Sequence, residues 1–390
     1  MNLSLELKKR FRENIQTYAM LLAMIAIWIL FNILTNGFYL SPQNFSNLFR
    51  QMTVTSFLAT GMVLVIVTGN IDLSVGKLAG FVSVVVAYFQ ANVWNTIFPD
   101  QPITAAVLSV GIGLLVGALF GMLQGYIVSY MRVPAFIVTL GGMFVLRGGI
   151  LIITEGKTIP ANQPGFDQIA QGYLPASIGW IAALLVVALL FMNMIRSRAR
   201  KAQYGFEVPN LYMDILGTVF FSALVIAYVF VVNFYNGIQV PVLLLAVTAV
   251  IMAYISNNTR FGRYAYAIGG NREAARLSGI NIKRNIFLIF VLMGFLCGIA
   301  GIVLASYVGY GTVAAGEGYE LDAIAACILG GTSTLGGEGT IFGAMIGGLI
   351  MASLTNGLQM LNVPAAYQYV VKGAVLILAV YADVYFKKNR

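Results

Sequence analysis

Apolar runs long enough to cross about 30 Å of hydrocarbon recur along almost the whole chain and leave few other folds open. They fall near residues 17–36, 52–69, 75–94, 104–130, 134–153, 177–195, 214–233, 240–256, 285–307, 340–361 and 366–385. A shorter, glycine-rich run at 322–337 reads as a broken or partial crossing. Only 9% of the residues are charged, against about 25% in an ordinary soluble domain. The expected fold class is an all-α polytopic membrane protein with about 12 transmembrane segments. The first run is long enough to span and has no small-residue cleavage site after it, so it reads as a retained signal-anchor.

The formal net charge is +9, but the placement of the charges says more. With the N-terminus inside, 19 of the 23 Lys and Arg residues fall in cytoplasmic segments, Lys77 among them. The exceptions are Arg50, Arg147, Lys157 and Lys372. This is the positive-inside pattern. It divides the chain into a cytoplasmic segment 1–16, one transmembrane domain 17–385 with a cytoplasmic loop at 257–284, and a cytoplasmic tail 386–390. Apart from 154–176 the external loops are short.

Several chemistries are excluded. There is no histidine, the commonest metal ligand and general base. Cys297 and Cys327 lie in apolar runs and read as small buried hydrophobes. The nearest approach to a phosphate-binding loop, Gly76-Lys77-Leu78, has the wrong glycine spacing and no hydroxyl. No acid pair has catalytic spacing. The chain is expected to be no enzyme, to bind no cofactor or metal of its own and to have no nucleic-acid partner. Any chemical energy it uses must come through another subunit.

The polar island from Arg260 to Arg284 holds six basic residues against one acid, Glu273. Within it, Asn271 is placed to N-cap a helix through Arg272, Glu273, Ala274, Ala275, Arg276 and Leu277, with Ser278 and Gly279 closing it. So short a helix is marginal alone, and a connection between spans does not need one. It reads as a handle for another protein.

Inside the spans, ionisable groups are costly and point to a pathway or to internal pairing. Arg147 and Lys372 lie in apolar helices, and Glu320 and Asp322 stand at the mouth of another. A structural pair such as Lys372 with Asp322 competes with substrate contact as the explanation. Asn356 and Gln359, with Tyr367 and Gln368, are neutral candidates for a polar solute. Asp72 lies in a hinge, Thr68–Gly76, and is placed to N-cap the next helix or to act at a gate; a second hinge is Gly330–Gly339. Gly113, Gly117, Gly121 and Gly125 form a ridge for close helix packing, and Gly343 and Gly347 repeat its spacing. Residues 117–152 resemble 347–378, aligning Val133-Pro134 with Val363-Pro364 and Arg147 with Lys372. Those two prolines fall on opposite sides of the membrane, as inverted repeats require.

Five segments carry a family resemblance: GNIDLSVGKLAG, VPAFIVTLGGMFVLRGG, YAIGGNREAARLSGIN, ELDAIAACILGGTSTLGGEGTIFGA and VPAAYQYVVKGAVLILAV. In this order they resemble the permease subunits of bacterial ABC-type monosaccharide importers, over about residues 17–385. The YLPAS segment at Tyr173–Ser177 and the spans at 177–233 look most like xylose or multiple-monosaccharide permeases. The resemblance implies a ten-helix core with inverted repeats plus two extra spans. It implies a homodimer in the bacterial cytoplasmic membrane, under an extracytoplasmic sugar-binding protein. ATP and magnesium would sit on a cytosolic ATPase with two fused nucleotide-binding domains, and Asn271–Gly279 would be the helix docking on it. The polar stretch from Tyr204 to Asp214 departs from the pattern. The competing reading is an ion- or proton-coupled secondary transporter, which leaves the island without a role.

Overall fold

Long helices dominate the computed structural model, which describes residues 15–206, 208 and 210–388. The basic cluster Lys8–Arg12 and Arg390 lie outside the described residues. In chain order the helices are α1 (Ile15–Leu34), α2 (Pro42–Val67), α3 (Val75–Ile97, with a π-helical turn at Phe89–Trp94), α4 (Pro102–Ser129), α5 (Ala135–Thr154), the short α6 (Gln168–Gln171), α7 (Ala176–Gln203), α8 (Leu211–Asn233), α9 (Val240–Asn258), α10 (Arg260–Gly270), α11 (Arg272–Leu277), α12 (Ile282–Val308), α13 (Tyr319–Leu329), α14 (Ile341–Met360) and α15 (Ala365–Lys388). Among the described residues, α2, α3, α4, α5, α7, α8, α9, α12 and α14 are long and apolar enough to cross a membrane. The apolar stretches Met20–Leu34 and Ala365–Tyr381 of the first and last helices are shorter.

Four two-residue strands tie loops at one end of the bundle: β1 (Ile159–Pro160), β2 (Tyr173–Leu174), β3 (Ile238–Gln239) and β4 (Tyr310–Gly311). They pair antiparallel, β1 with β4 and β2 with β3.

The core is built from α2, α3, α12 and α14. The glycine ridge of α4 lies against α12, as its spacing predicts. A Cβ on Gly121 would stand 2.5 Å from the Phe290 carbonyl oxygen and 2.9 Å from the Gly294 Cα, so backbone meets backbone there. Gly343 and Gly347 likewise leave room for the backbone at Gly330 and Ala326 of α13. Cys297 and Cys327 are both buried free thiols within this core.

Three expectations are refined. Helix α2 starts at Pro42, ten residues ahead of the apolar run, because Ser41 caps it and Pro42 suits its first turn. Lys77 is not a solvated loop residue: it lies in the first turn of α3, buried, with its ammonium 3.8 Å from a Glu317 carboxylate oxygen. The run at 322–337 is helical only to Leu329. Eleven residues rise about 17 Å, roughly half the hydrocarbon, and Gly330–Gly339 continues without helix.

The two segments aligned as a repeat share an unusual turn. Arg132 and Asn362 both adopt left-handed backbone, φ 60° and 55°, immediately before Val133-Pro134 and Val363-Pro364. Pro134 and Pro364 then each precede a helix, α5 and α15.

Candidate functional site

The two ends of the bundle carry different chemistry. At one end the island folds into two helices, where the sequence announced one. The missed helix, α10, buries Gly262, Ala265 and Ile268, three residues apart on one face. Its Tyr266 hydroxyl donates to the Gly339 carbonyl at 2.8 Å and lies 2.9 Å from the Ser256 hydroxyl. Burial pushes the Tyr266 pKa up, against the lowering effect of Ser256. The Gly337 N–H donates to the Val67 carbonyl at 2.8 Å, so the end of α2 and the Gly330–Gly339 loop form the platform on which the island rests.

The announced helix, α11, is built as its sequence predicts. The Asn271 side-chain oxygen accepts from the Ala274 N–H at 2.9 Å. Gly279 closes the helix with φ +80°, a conformation that favours glycine. Ala275 turns inward and is buried, whereas Arg276 and Glu273 pair at 2.9 Å on the exposed side. Leu277 is 80% exposed, as is Leu335 of the platform loop at 81%. A cavity of ≈ 680 Å³ beside the helix is bounded by Asn70, Arg132, Arg272, Glu273, Arg276 and Lys283, among others.

At the opposite end, a cavity of ≈ 370 Å³ opens between α2, α13, α14 and α15. Its polar lining includes Gln51, Glu317, Asp322, Thr355, Gln359, Gln368 and Lys372. The Lys372 ammonium donates to Asp322 at 2.8 Å, the pair anticipated from the sequence. Asp322 sits in the first turn of α13, where a carboxylate also complements the helix dipole. Asn356 is buried beside this cavity; it accepts from Asn44 at 2.9 Å and donates to Gln51 at 3.1 Å.

Of the residues proposed from the sequence, Asp322, Asn356, Gln359, Gln368 and Lys372 are therefore brought together at one end of α14. Asp72 and Arg147 are not. Asp72 is buried ahead of α3 and accepts from the N–H and hydroxyl of Ser74, at 2.8 and 2.7 Å. Ser74, not Asp72, holds the N-cap position of α3. The Ser74 hydroxyl continues the contact to Gln124. Arg147 is exposed on α5 among apolar residues such as Phe144 and Val145, away from the cavity. Sequence reasoning missed Gln51, Glu317 and Thr355. For Gln51 the amide and hydroxyl residues at the start of α2 were the available signal, because they interrupt a helix that hydropathy alone begins ten residues too late.

The comparisons with known proteins converge on transport. A family profile described as "Branched-chain amino acid transport system / permease component" matches residues 44–380. The chain is 43% identical over 377 residues to the xylose transport system permease protein XylH of Haemophilus influenzae, covering 96% of this chain and 98% of that one. The Escherichia coli K12 protein of the same name is 42% identical over 370 residues, with 95% and 92% covered. This chain belongs to the ABC-type sugar permease family. The ribose import permease protein RbsC of E. coli K12 is 34% identical over 363 residues, covering 93% and 92%. No solved structure matches. The permease is a membrane-embedded transport subunit and not an enzyme.

Proposed function

We propose that this permease forms the translocation pathway for xylose or a related pentose or hexose in an ATP-driven importer. The observation that carries the reading is the polar cavity bearing the Asp322–Lys372 pair, set at the end of α2 and α14 opposite the island. Its lining joins the Asp322–Lys372 pair to the amides of Gln51, Gln359 and Gln368 and the hydroxyl of Thr355, beside apolar residues such as Val54, Met351 and Leu376, and this mixture suits the polar and apolar faces of a neutral sugar. The names of the full-length relatives support the same substrate class.

In this reading the island is cytoplasmic and Asn271–Gly279 transmits the motion of a cytosolic ATPase with two fused nucleotide-binding domains. An extracytoplasmic binding protein delivers sugar to the cavity, and two copies of the permease pair in the bacterial cytoplasmic membrane. The segment 17–385 is one transmembrane domain. The tenth of its twelve crossings is the broken segment of α13 and Gly330–Gly339, which returns the chain to the cytoplasm, where both termini lie. The shared left-handed turns at Arg132 and Asn362 support an inverted repeat.

Reconstitution of the permease with ATPase and binding protein tests the proposal. Expected are ATP-dependent xylose accumulation and none by permease alone under a proton gradient. Gradient-driven accumulation without ATPase, or ATP-driven uptake of leucine and not of sugar, refutes it.

A further inference from the structure

The polar lining continues beyond Asp322 and Lys372. A second hollow of ≈ 370 Å³ shares Gln51, Tyr307 and Gln359 with the first and extends past Asn44, Asn47 and Arg50. That volume lies within the roughly 300–1,000 Å³ typical of small-molecule pockets. Asn44, Asn47, Gln51, Asn356 and Gln359 supply five primary amides around it. An amide presents donors beside an acceptor, the complement of a hydroxyl group, which is both; Asn44, Asn356 and Gln51 spend part of that capacity on one another, through the Asn44–Asn356 and Asn356–Gln51 hydrogen bonds. Arg50 is the one charged residue of the lining, and no carboxylate is among its lining residues.

Arg50 is held from outside the pocket. Its guanidinium donates to the Tyr173 hydroxyl and lies over the Tyr173 ring, 4.8 Å from the centroid. The Arg50 Nε is buried and has no hydrogen-bond partner.

Tyr173 belongs to β2, at the root of the hairpin formed by α7 and α8. There it pairs with Gln239 of β3, whose amide donates to the Ser46 carbonyl of α2 at 2.7 Å. The Tyr228 hydroxyl of α8 donates to the same Gln239 at 3.0 Å, and its ring packs on Phe45 and Phe49. Elsewhere α7 and α8 expose most of their apolar surface. The hairpin thus meets α2 at the turns that carry Ser46 and Arg50.

We propose that Arg50 contacts and discriminates a neutral polyhydroxyl ligand, a monosaccharide, in this amide-lined hollow, and that Tyr173 at the root of the α7–α8 hairpin positions it. The proposal rests on the reading of the chain as a sugar permease. Amides outnumber the single cation and match hydroxyls on both donor and acceptor sides, which fits a polyhydroxyl ligand; Arg50, with no carboxylate in the lining, makes a sugar acid the ligand to test against.

The test is saturation-transfer NMR on the full-length permease in lipid nanodiscs, with millimolar D-xylose as the probe. The unmodified protein is expected to give a transfer signal that falls at least fivefold in Arg50→Gln and at least twofold in Tyr173→Phe. Leu185→Ala, on the exposed surface of α7, is expected to retain it. Arg50→Lys keeps the charge but lacks the planar fork; it is expected to fold and still lose the signal, which separates contact from a structural role. An unchanged signal in Arg50→Gln, no xylose signal in the unmodified protein, or stronger and salt-sensitive binding of D-xylonate overturns the proposal. ATP-driven uptake by the assembled importer is measured in parallel. If uptake is sugar-specific while the NMR arm fails, only this subsite falls; if uptake fails, the parent reading falls.

Discussion

Lys372 of α15 donates to Asp322 of α13 at 2.8 Å, joining the last helix of the chain to the half-length helix in the wall of the polar cavity. Both side chains are mostly buried, at 20% and 12% exposure. Removing one member of a buried pair costs about 3–5 kcal/mol, because the other charge is left without compensation. Partial exposure moves the expected cost here toward the lower end. Lys372→Met and Asp322→Asn should each lower the unfolding temperature and cut uptake. The exchange Asp322→Lys with Lys372→Asp should recover more than half of either loss. An exchange variant no better than the sum of the two single variants would show that the pair is not coupled.

The second ion pair is lopsided, and its variants should be too. Lys77 is 7% exposed while its partner Glu317 is 53% exposed. Taking away Glu317 leaves a buried ammonium with only the nearby Glu320 carboxyl as counter-charge, whereas taking away Lys77 leaves a Glu317 carboxylate that water still reaches. Glu317→Gln is therefore expected to destabilise the permease by at least about 1 kcal/mol more than Lys77→Met does. Thermal unfolding in detergent measures both, and equal shifts would argue against the pair.

The α4–α12 contact makes a steric prediction. Gly121 faces the carbonyl of Phe290 and the Cα of Gly294, and neither can move as a side chain can. Gly121→Leu should cost more than the roughly 1–3 kcal/mol of ordinary overpacking and strip most folded protein from the membrane. Gly111, with open space around it, is the control: Gly111→Leu should express normally.

The island helix predicts a separation of function from folding. Asn271→Ala removes a cap, at a cost of about 1 kcal/mol, and should weaken uptake while membrane insertion stays normal. Glu273→Lys breaks the exposed pair with Arg276 and reverses a charge beside it. Under the proposed docking role, pull-down of the ATPase should fall at least tenfold in Glu273→Lys with no change in the unfolding temperature. Full retention of the ATPase in that variant would remove the docking role.

Much of this was legible in the sequence because it depends on neighbours a few residues apart. Hydropathy located the apolar helices, since a bilayer requires every backbone group to be satisfied within its own segment. Asn271 and Gly279 marked α11 by capping chemistry, which is local. The glycine spacing of α4 announced a tight contact, though it did not name α12 as the partner. Hydropathy failed at the start of α2, where Asn44, Asn47, Arg50 and Gln51 face a cavity instead of lipid, and at Lys77, whose partner lies 240 positions away. Helix α10 was hidden because charge dominates its sequence, while its buried face consists of Gly262, Ala265 and Ile268.

By itself, then, the sequence determined a polytopic helical membrane protein with no catalytic apparatus and a capped polar helix at its basic end. Only the tertiary structure decided which intramembrane polar groups work together. It placed Asp322, Asn356, Gln359 and Lys372 around one cavity end, left Arg147 on the outer surface and put Asp72 into a turn beneath Ser74. The physical reason is that a charge in a bilayer is viable only beside a partner or a polar cavity. Residues distant in the chain supply both.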